Sequence, residues 1–182
     1  MSSTESLPLW YVLRVTYQRE LIAKRRMDEL GVESFVPTRS VRERGANGRV
    51  VVARRALVHN YIFVHATREV IDALKQRELP YLRYVMHTIN DTYTPMVVPE
   101  AQMRSFILVT GSEDERLMVV DCQAAELKAG TRVRVVGGIF AGAEGVLTKL
   151  SGLRDRRVVV RIDGVAAVAT PKIEKELLEI IS

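Results

Sequence analysis

The apolar positions of this chain fall into short runs whose period switches between that of a strand and that of a helix. Trp10 to Val15 reads WYVLRV, aromatic and β-branched, and predicts a buried strand. Between Arg19 and Leu30, Ala23, Met27 and Leu30 recur at helical spacing, and Gly31 stands where a C-terminal cap is expected. Ser34-Phe35-Val36 predicts a short strand that Pro37 stops. Leu57 to Val64 (LVHNYIFV) is the strongest strand signal in the chain. A helix is expected over 68–77, with Val70, Ile71 and Leu74 on one face, and a strand over Tyr81 to Met86. Pro99 suits a first helical turn, and Met103, Phe106 and Ile107 carry the helical spacing on to Gly111. The order β-α-β-β-α-β-α predicts an α+β fold: an antiparallel sheet with helices packed against it.

The pattern changes at Gly111. Gly-Ser-Glu-Asp-Glu opens a polar, acidic segment that suits a linker, although the apolar run Leu117 to Val120 within it is expected to dock. From Gly130 the alternation is that of strands: Thr131 to Val136, Gly145 to Leu147, Arg157 to Ile162, Val165 to Thr170 and Leu177 to Ile181. Five short strands in about 55 residues predict a small barrel, which removes free sheet edges.

Charge sharpens this division. The net charge is +5, and residues 1–110 hold 16 basic against 11 acidic side chains, whereas residues 111–182 hold 11 of each. The excess therefore belongs to the first part. Its densest point is residues 39–55, expected to be a β-hairpin arm turning at Gly45-Ala46-Asn47-Gly48. Arg39, Arg42, Arg44, Arg49, Arg54 and Arg55 face a single acid, Glu43. Charge alone leaves two readings: arginines that keep a solvated hairpin from aggregating, or an arm that contacts phosphate.

Enzyme chemistry finds no constellation. None of His59, His65 and His87 has a second ligand at helical spacing, and a strand would hold His59 and His65 roughly 20 Å apart, so no metal site and no cofactor is expected. There is no nucleophile elbow and no phosphate-cradling Walker loop. Cys122, the single cysteine, has no histidine partner in view and excludes an internal disulfide. The glycine-rich run Gly137 to Gly145 precedes a strand rather than a helix, so it reads as a sharp hairpin turn rather than a nucleotide loop. No apolar run approaches the roughly 20 residues that span a bilayer, and Met1 to Leu9 lacks the pattern of a secretory signal, so a cytoplasmic protein without membrane attachment is expected.

That glycine turn, with Gly130, Val133 and Val135 before it and Gly138, Phe140, Gly142 and Gly145 within it, resembles the KOW motif of transcription elongation factors and some ribosomal proteins. The first part of the chain is similar to the NGN domain of the NusG family. The matching features are Trp10-Tyr11-Val12-Leu13, Phe35-Val36-Pro37, the basic arm, Asn60-Tyr61-Ile62-Phe63-Val64 and Pro95-Met96-Val97-Val98-Pro99. The resemblance runs over nearly the whole chain in the family's order. It implies an NGN domain over 8–110, a linker over 111–127 and an SH3-like KOW β-barrel over 128–182. General NusG proteins have Pro-Gly-Tyr where this chain has His59-Asn60-Tyr61, and the Asn-Tyr pair resembles operon-specific RfaH-like and UpxY-like antiterminators, the latter acting on surface-polysaccharide operons. The chain departs from the family in three places: Ile139 stands where the KOW motif commonly has Pro; Asp163-Gly164-Val165 stands where general NusG has Phe-Gly-Arg, which puts ribosome coupling there in doubt; and the threonine-containing residues by which RfaH-type relatives grip the polymerase gate loop are not evident near Asp72-Ala73-Leu74.

The resemblance implies a regulatory factor, not an enzyme, whose NGN domain sits on the clamp helices of RNA polymerase. Tyr61 and Phe63 are the expected apolar anchors, with Tyr84 and Val85 beside them. Arg19, Lys24, Arg25 and Arg26, with Arg42 and Arg44 of the arm, are the expected nucleic-acid contacts, and Tyr17 is a candidate for base stacking, directed at non-template DNA or nascent RNA. A second protein partner is expected for the KOW domain, and a monomer for the whole. The valine alternation and turn glycines there predict strands rather than a helical hairpin at rest. The competing reading is an RNA-binding or ribosome-associated KOW protein, which the neutral charge of the C-terminal part disfavours.

Overall fold

The structure is a computed structural model and describes residues 6–182. The expectation about a leader at Met1 to Leu9 falls largely outside the described residues. In chain order the elements are β1 (Leu9–Arg14), α1 (Glu20–Glu29), β2 (Glu33–Phe35), β3 (Thr38–Arg44), β4 (Val50–Ala56), β5 (Tyr61–Ala66), α2 (Arg68–Arg77), β6 (Arg83–Tyr84), β7 (Met86–Ile89), β8 (Thr92–Pro95), β9 (Val97–Val98) and α3 (Glu100–Thr110). They continue with β10 (Met118–Val120), α4 (Ala125–Lys128), β11 (Thr131–Val135), β12 (Glu144–Lys149), β13 (Arg156–Ile162), β14 (Ala166–Ala169), a 3₁₀ turn (Lys175–Leu177) and β15 (Leu178–Ile180). This is an α+β chain whose contacts divide it into two bodies: residues up to Val36 with Val58–Glu100, and Pro37–Leu57 with Ala101–Ser182.

The first body is built on an antiparallel sheet of order β2-β5-β1-β6, with β9 pairing β1. β1 and β5 are central, and Val12, Leu13, Ile62, Phe63 and Val64 are all fully buried, so both faces of these strands are covered. This is why their sequences read as unbroken apolar runs rather than as alternation. α2 starts as its sequence predicts: the Thr67 side chain accepts from the Val70 N–H (3.4 Å), and Ile71 and Leu74 turn inward. α1 buries Ala23 and Met27. β5 starts four residues later than the apolar run suggests, because Asn60 takes a left-handed backbone (φ +70°) and makes a turn there. The strand expected over 81–86 is only Arg83–Tyr84 long. A hairpin, β7–β8, then turns on Asn90 and Asp91, both at positive φ (47° and 61°), as a two-residue turn of the type that suits a twisted ribbon.

The second body holds the β3–β4 arm, which pairs from Thr38↔Ala56 to Arg44↔Val50, as its turn residues predict. It also holds a six-stranded antiparallel sheet of order β10-β14-β13-β12-β11-β15. All five strands expected after Gly130 are present, and the apolar Leu117–Val120 run adds a sixth by pairing Met118–Val120 with β14. Leu127, Leu150, Val159, Ala167 and Ala169 form one apolar core here. α3 buries Met103, Phe106 and Val109, spaced three apart.

Candidate functional site

The register of β1 against its neighbours decides which aromatic side chains share a surface. Arg14 lies opposite Tyr61, and Leu13 lies opposite both Ile62 and Tyr84. Directly paired residues project to the same face and successive residues to opposite faces. Tyr61 therefore lies on one face with Arg14, Val12 and Phe63, and Tyr84 lies on the other with Leu13 and Tyr11. The four expected anchors do not form one patch.

Their surroundings differ accordingly. Tyr61 is half-buried, with the Arg14 guanidinium 5.9 Å from its ring centre. Phe63, two residues on along the same face, is fully buried and offers no surface of its own. Tyr84 meets Tyr11 edge to face at 5.7 Å, carries the Lys75 ammonium 4.2 Å from its ring centre, and donates its hydroxyl to Asp72 Oδ1 at 3.0 Å. Burial first, and then that hydrogen bond and the Asp72 charge, push the Tyr84 hydroxyl well above the usual phenol range. Val85 is half-buried, donates its N–H to the Val12 carbonyl (2.9 Å) and accepts from Met96 (2.7 Å).

Tyr61 borders an open concavity of about 500 Å³ lined by Arg14, Val15, Thr16, Tyr17 and Asn60. Backbone turns shape it. Tyr17, Gln18 and Asn60 all have positive φ (60°, 54° and 70°), a region that residues other than glycine seldom occupy. Glu20 holds the second turn from below: its buried carboxylate accepts the Asn60 N–H at 2.5 Å, while the Asn60 carbonyl accepts from Val15 N–H at 2.8 Å. The Tyr17 ring is left 83 % exposed. Arg19 lies between two aromatic rings, 5.5 Å from that of Tyr17 and 5.1 Å from that of Tyr81.

The remaining expected nucleic-acid contacts separate into free and engaged groups. Arg25 is exposed and forms no ion pair among the described residues. Lys24 pairs with Asp28 one turn on. Arg26 binds Glu29 (2.8 Å) and Glu78 (2.7 Å), which ties α1 to the C-terminal end of α2. Hydrogen bonds to Glu29 and Glu78 also raise its pKa. Arg26 therefore serves the fold before it serves any ligand. On the arm, pairing places Arg42 and Arg44 on one face with Val50, Val52 and Arg54. All five are exposed.

In the glycine turn, Gly138 and Gly142 adopt positive φ (79° and 94°), and Phe140 is buried. Val135 exchanges backbone bonds with Gly142 and Ala143 across it. Gly145 serves close approach: a Cβ there would stand 2.6 Å from the Val159 carbonyl oxygen. Asp163 is exposed in the β13–β14 turn and pairs with Arg161 at 2.9 Å.

Sequence reasoning missed Arg14, Glu20 and Arg54. The first two act through register and turn contacts between residues distant in sequence, for which the chain carries no local signal. Arg54 was visible as charge but not as a member of a face.

Residues 8–107 match the family model described as transcription termination factor NusG. The chain belongs to the NusG family. The match covers more than half of the chain, includes β1, β5 and the arm, and makes this a member of a family of transcription factors rather than of enzymes. No curated protein matches the chain. Among the described residues, no helix is long and apolar enough to cross a membrane, and no cluster of side chains could hold a metal ion.

Proposed function

We propose that this NusG-family protein is an operon-specific elongation factor that binds the clamp helices of RNA polymerase and suppresses pausing or termination. The observation that carries the reading is Tyr61, a half-buried aromatic residue at the rim of a concavity, flanked by Arg14 and followed on the same face by the buried Phe63. An amphipathic coiled-coil tip is recognised by such an anchor: an aromatic body set in an apolar wall with a polar rim. Tyr84 then acts away from the anchor, from the other face of the sheet. Tyr17 lines the same concavity with Arg19 against its ring, and these with exposed Arg25 of α1 would receive a nucleic-acid strand by stacking and phosphate contact; Arg42 and Arg44 of the arm are proposed separately as phosphate contacts. The Asn60-Tyr61 pair favours a specialised paralog, and a surface-polysaccharide operon is the target that the UpxY-like resemblance suggests.

Residues 8–110 act in this reading as the NGN domain, 111–127 as the linker and 128–182 as a KOW-type barrel that engages a second protein. The positive-φ glycines, the buried Phe140 and the strand content of 131–180 support the last assignment. The protein works as a cytoplasmic monomer.

The test is capture of purified RNA polymerase by the full chain, as free enzyme and as assembled elongation complex, for wild type and Tyr61→Ala. Binding by wild type and at least tenfold weaker binding by a folded Tyr61→Ala protein is the expected result. No binding of either polymerase form by wild type overturns the reading and favours an RNA-binding role for residues 128–182.

A further inference from the structure

The arm has two chemically different faces. On one, Glu43 of β3 binds Arg55 of β4 (2.7 Å), so the acid that the arm carries is engaged there. The other face holds Ser40, Arg42, Arg44, Val50, Val52 and Arg54, with no acid of the arm's own. An anion from another part of the second body fills that gap at the base of the ribbon. Glu113 forms an ion pair with Arg54 and accepts from the Thr38 hydroxyl (2.9 Å), while Arg54 Nε donates to the same hydroxyl (3.1 Å). Glu113 reaches this position from a left-handed backbone (φ +54°), beside a concavity of about 440 Å³ between the ribbon and residues 113–117. Its neighbours are not equivalent. Asp114 is bound to Arg116 (2.6 Å), and Glu115 is exposed with no ion pair among the described residues.

We infer that Glu113 is an internal stand-in for a phosphate, holding the arginine face of the arm until a nucleic-acid backbone displaces it. The inference rests on the proposed nucleic-acid role of the arm and adds its regulation. A carboxylate bonded to both a guanidinium and a hydroxyl presents the donors with what a phosphate oxygen would present. The pair is also exchangeable. Both partners reach solvent, the Arg54 side chain being 62 % exposed, and exposed pairs are weak and screened by salt. The array of Arg42, Arg44 and Arg54 matches the repeating charge of a backbone, which no single carboxylate can satisfy.

The experiment measures binding of the full chain to a fluorescently labelled DNA duplex and to a labelled RNA single strand across a salt series. Glu113→Gln is expected to bind roughly two- to fivefold tighter. Its advantage over wild type should be largest at low salt and shrink as salt rises, giving a steeper salt dependence, because salt screens the Glu113–Arg54 pair that wild type must break. Glu115→Gln makes the same change in net charge without touching Arg54 and is expected to keep the wild-type slope. In an Arg54→Ala background, Glu113→Gln should gain nothing. The probe with the larger gain identifies which backbone the face fits. Equal behaviour of Glu113→Gln and Glu115→Gln overturns the latch while leaving the arm's role intact. An Arg42→Ala/Arg44→Ala protein that binds as well as wild type overturns the arm's role itself. All variants lie on the surface, and an unchanged melting temperature shows that each is folded.

Discussion

The Glu20 carboxylate, 2 % exposed, accepts the backbone N–H of Asn60 forty residues away. That bond fastens the first turn of α1 to the turn that launches β5, and it sets where Tyr61 begins. A buried acidic side chain here is a positioning device for the concavity beside it.

Glu20→Ala should therefore cost about 1–3 kcal/mol, since it leaves the Asn60 N–H without its acceptor. Glu20→Gln retains an oxygen acceptor and should cost less. Urea unfolding of the two variants and wild type checks the order. A structural role confined to α1 would leave polymerase capture by folded Glu20→Ala unchanged, whereas positioning of Tyr61 predicts weaker capture.

Tyr61 and Phe63 should separate function from stability. Phe63→Ala removes a fully buried ring and should cost about 3–5 kcal/mol. Tyr61→Ala removes a half-buried ring and should cost clearly less, with its main effect on partner binding. Denaturant midpoints for both variants, read with binding of Tyr61→Ala, check this split.

Gly145→Ala should destabilise the second body by roughly 1–3 kcal/mol through overpacking. The added methyl meets the Val159 carbonyl oxygen, a backbone atom that cannot rotate aside, and also the Val158 side chain. Gly152→Ala offers a contrast: nothing lies within 4 Å of an added Cβ, so its cost comes from the positive φ (79°) alone. Thermal melts of the two variants separate steric from conformational penalty.

Tyr84 makes a specific alkaline prediction. Its hydroxyl pKa in the folded protein is raised above the unfolded value of about 10, by burial and by the bond to Asp72. Below the unfolded value the phenol is protonated in both states, and its contribution is fully present. Above it the unfolded chain ionises first, so that contribution declines as pH rises toward the native value. Tyr84→Phe should lose this component of the alkaline decline while losing the Asp72 bond at every pH. Unfolding free energies measured on either side of about pH 10 check the sign.

Much of the fold was legible because the relevant signals are local. The spacing of Val70, Ile71 and Leu74 announces α2, the apolar run of β1 announces a buried strand, and the turn glycines after Val136 announce a hairpin. The start of β5 was not legible, since Leu57 and Val58 are as apolar as a strand but lie before a turn made by Asn60. The Asn90-Asp91 hairpin carries little sequence signal, because its turn residues follow only a short apolar stretch. The candidate site suffered most. Tyr61, Phe63 and Tyr84 all read as anchors in the sequence, but only strand register reveals that one is buried and another lies on the opposite face. Arg26 looked free because its distant partner, Glu78, lies fifty-two residues away.

The opposed placement of Tyr61 and Tyr84 makes the central sheet an energetic insulator. The sheet separates them: Leu13 and Ile62, fully buried and held by backbone pairing, lie on the Tyr84 face, and Arg14 lies beside Tyr61 on the other. Substitutions at the two tyrosines should combine additively in their effects on stability. Each surface can thus diverge in sequence without the other having to compensate, so an altered surface around Tyr61 leaves the Tyr84–Asp72–Lys75 side of the domain free to keep its composition.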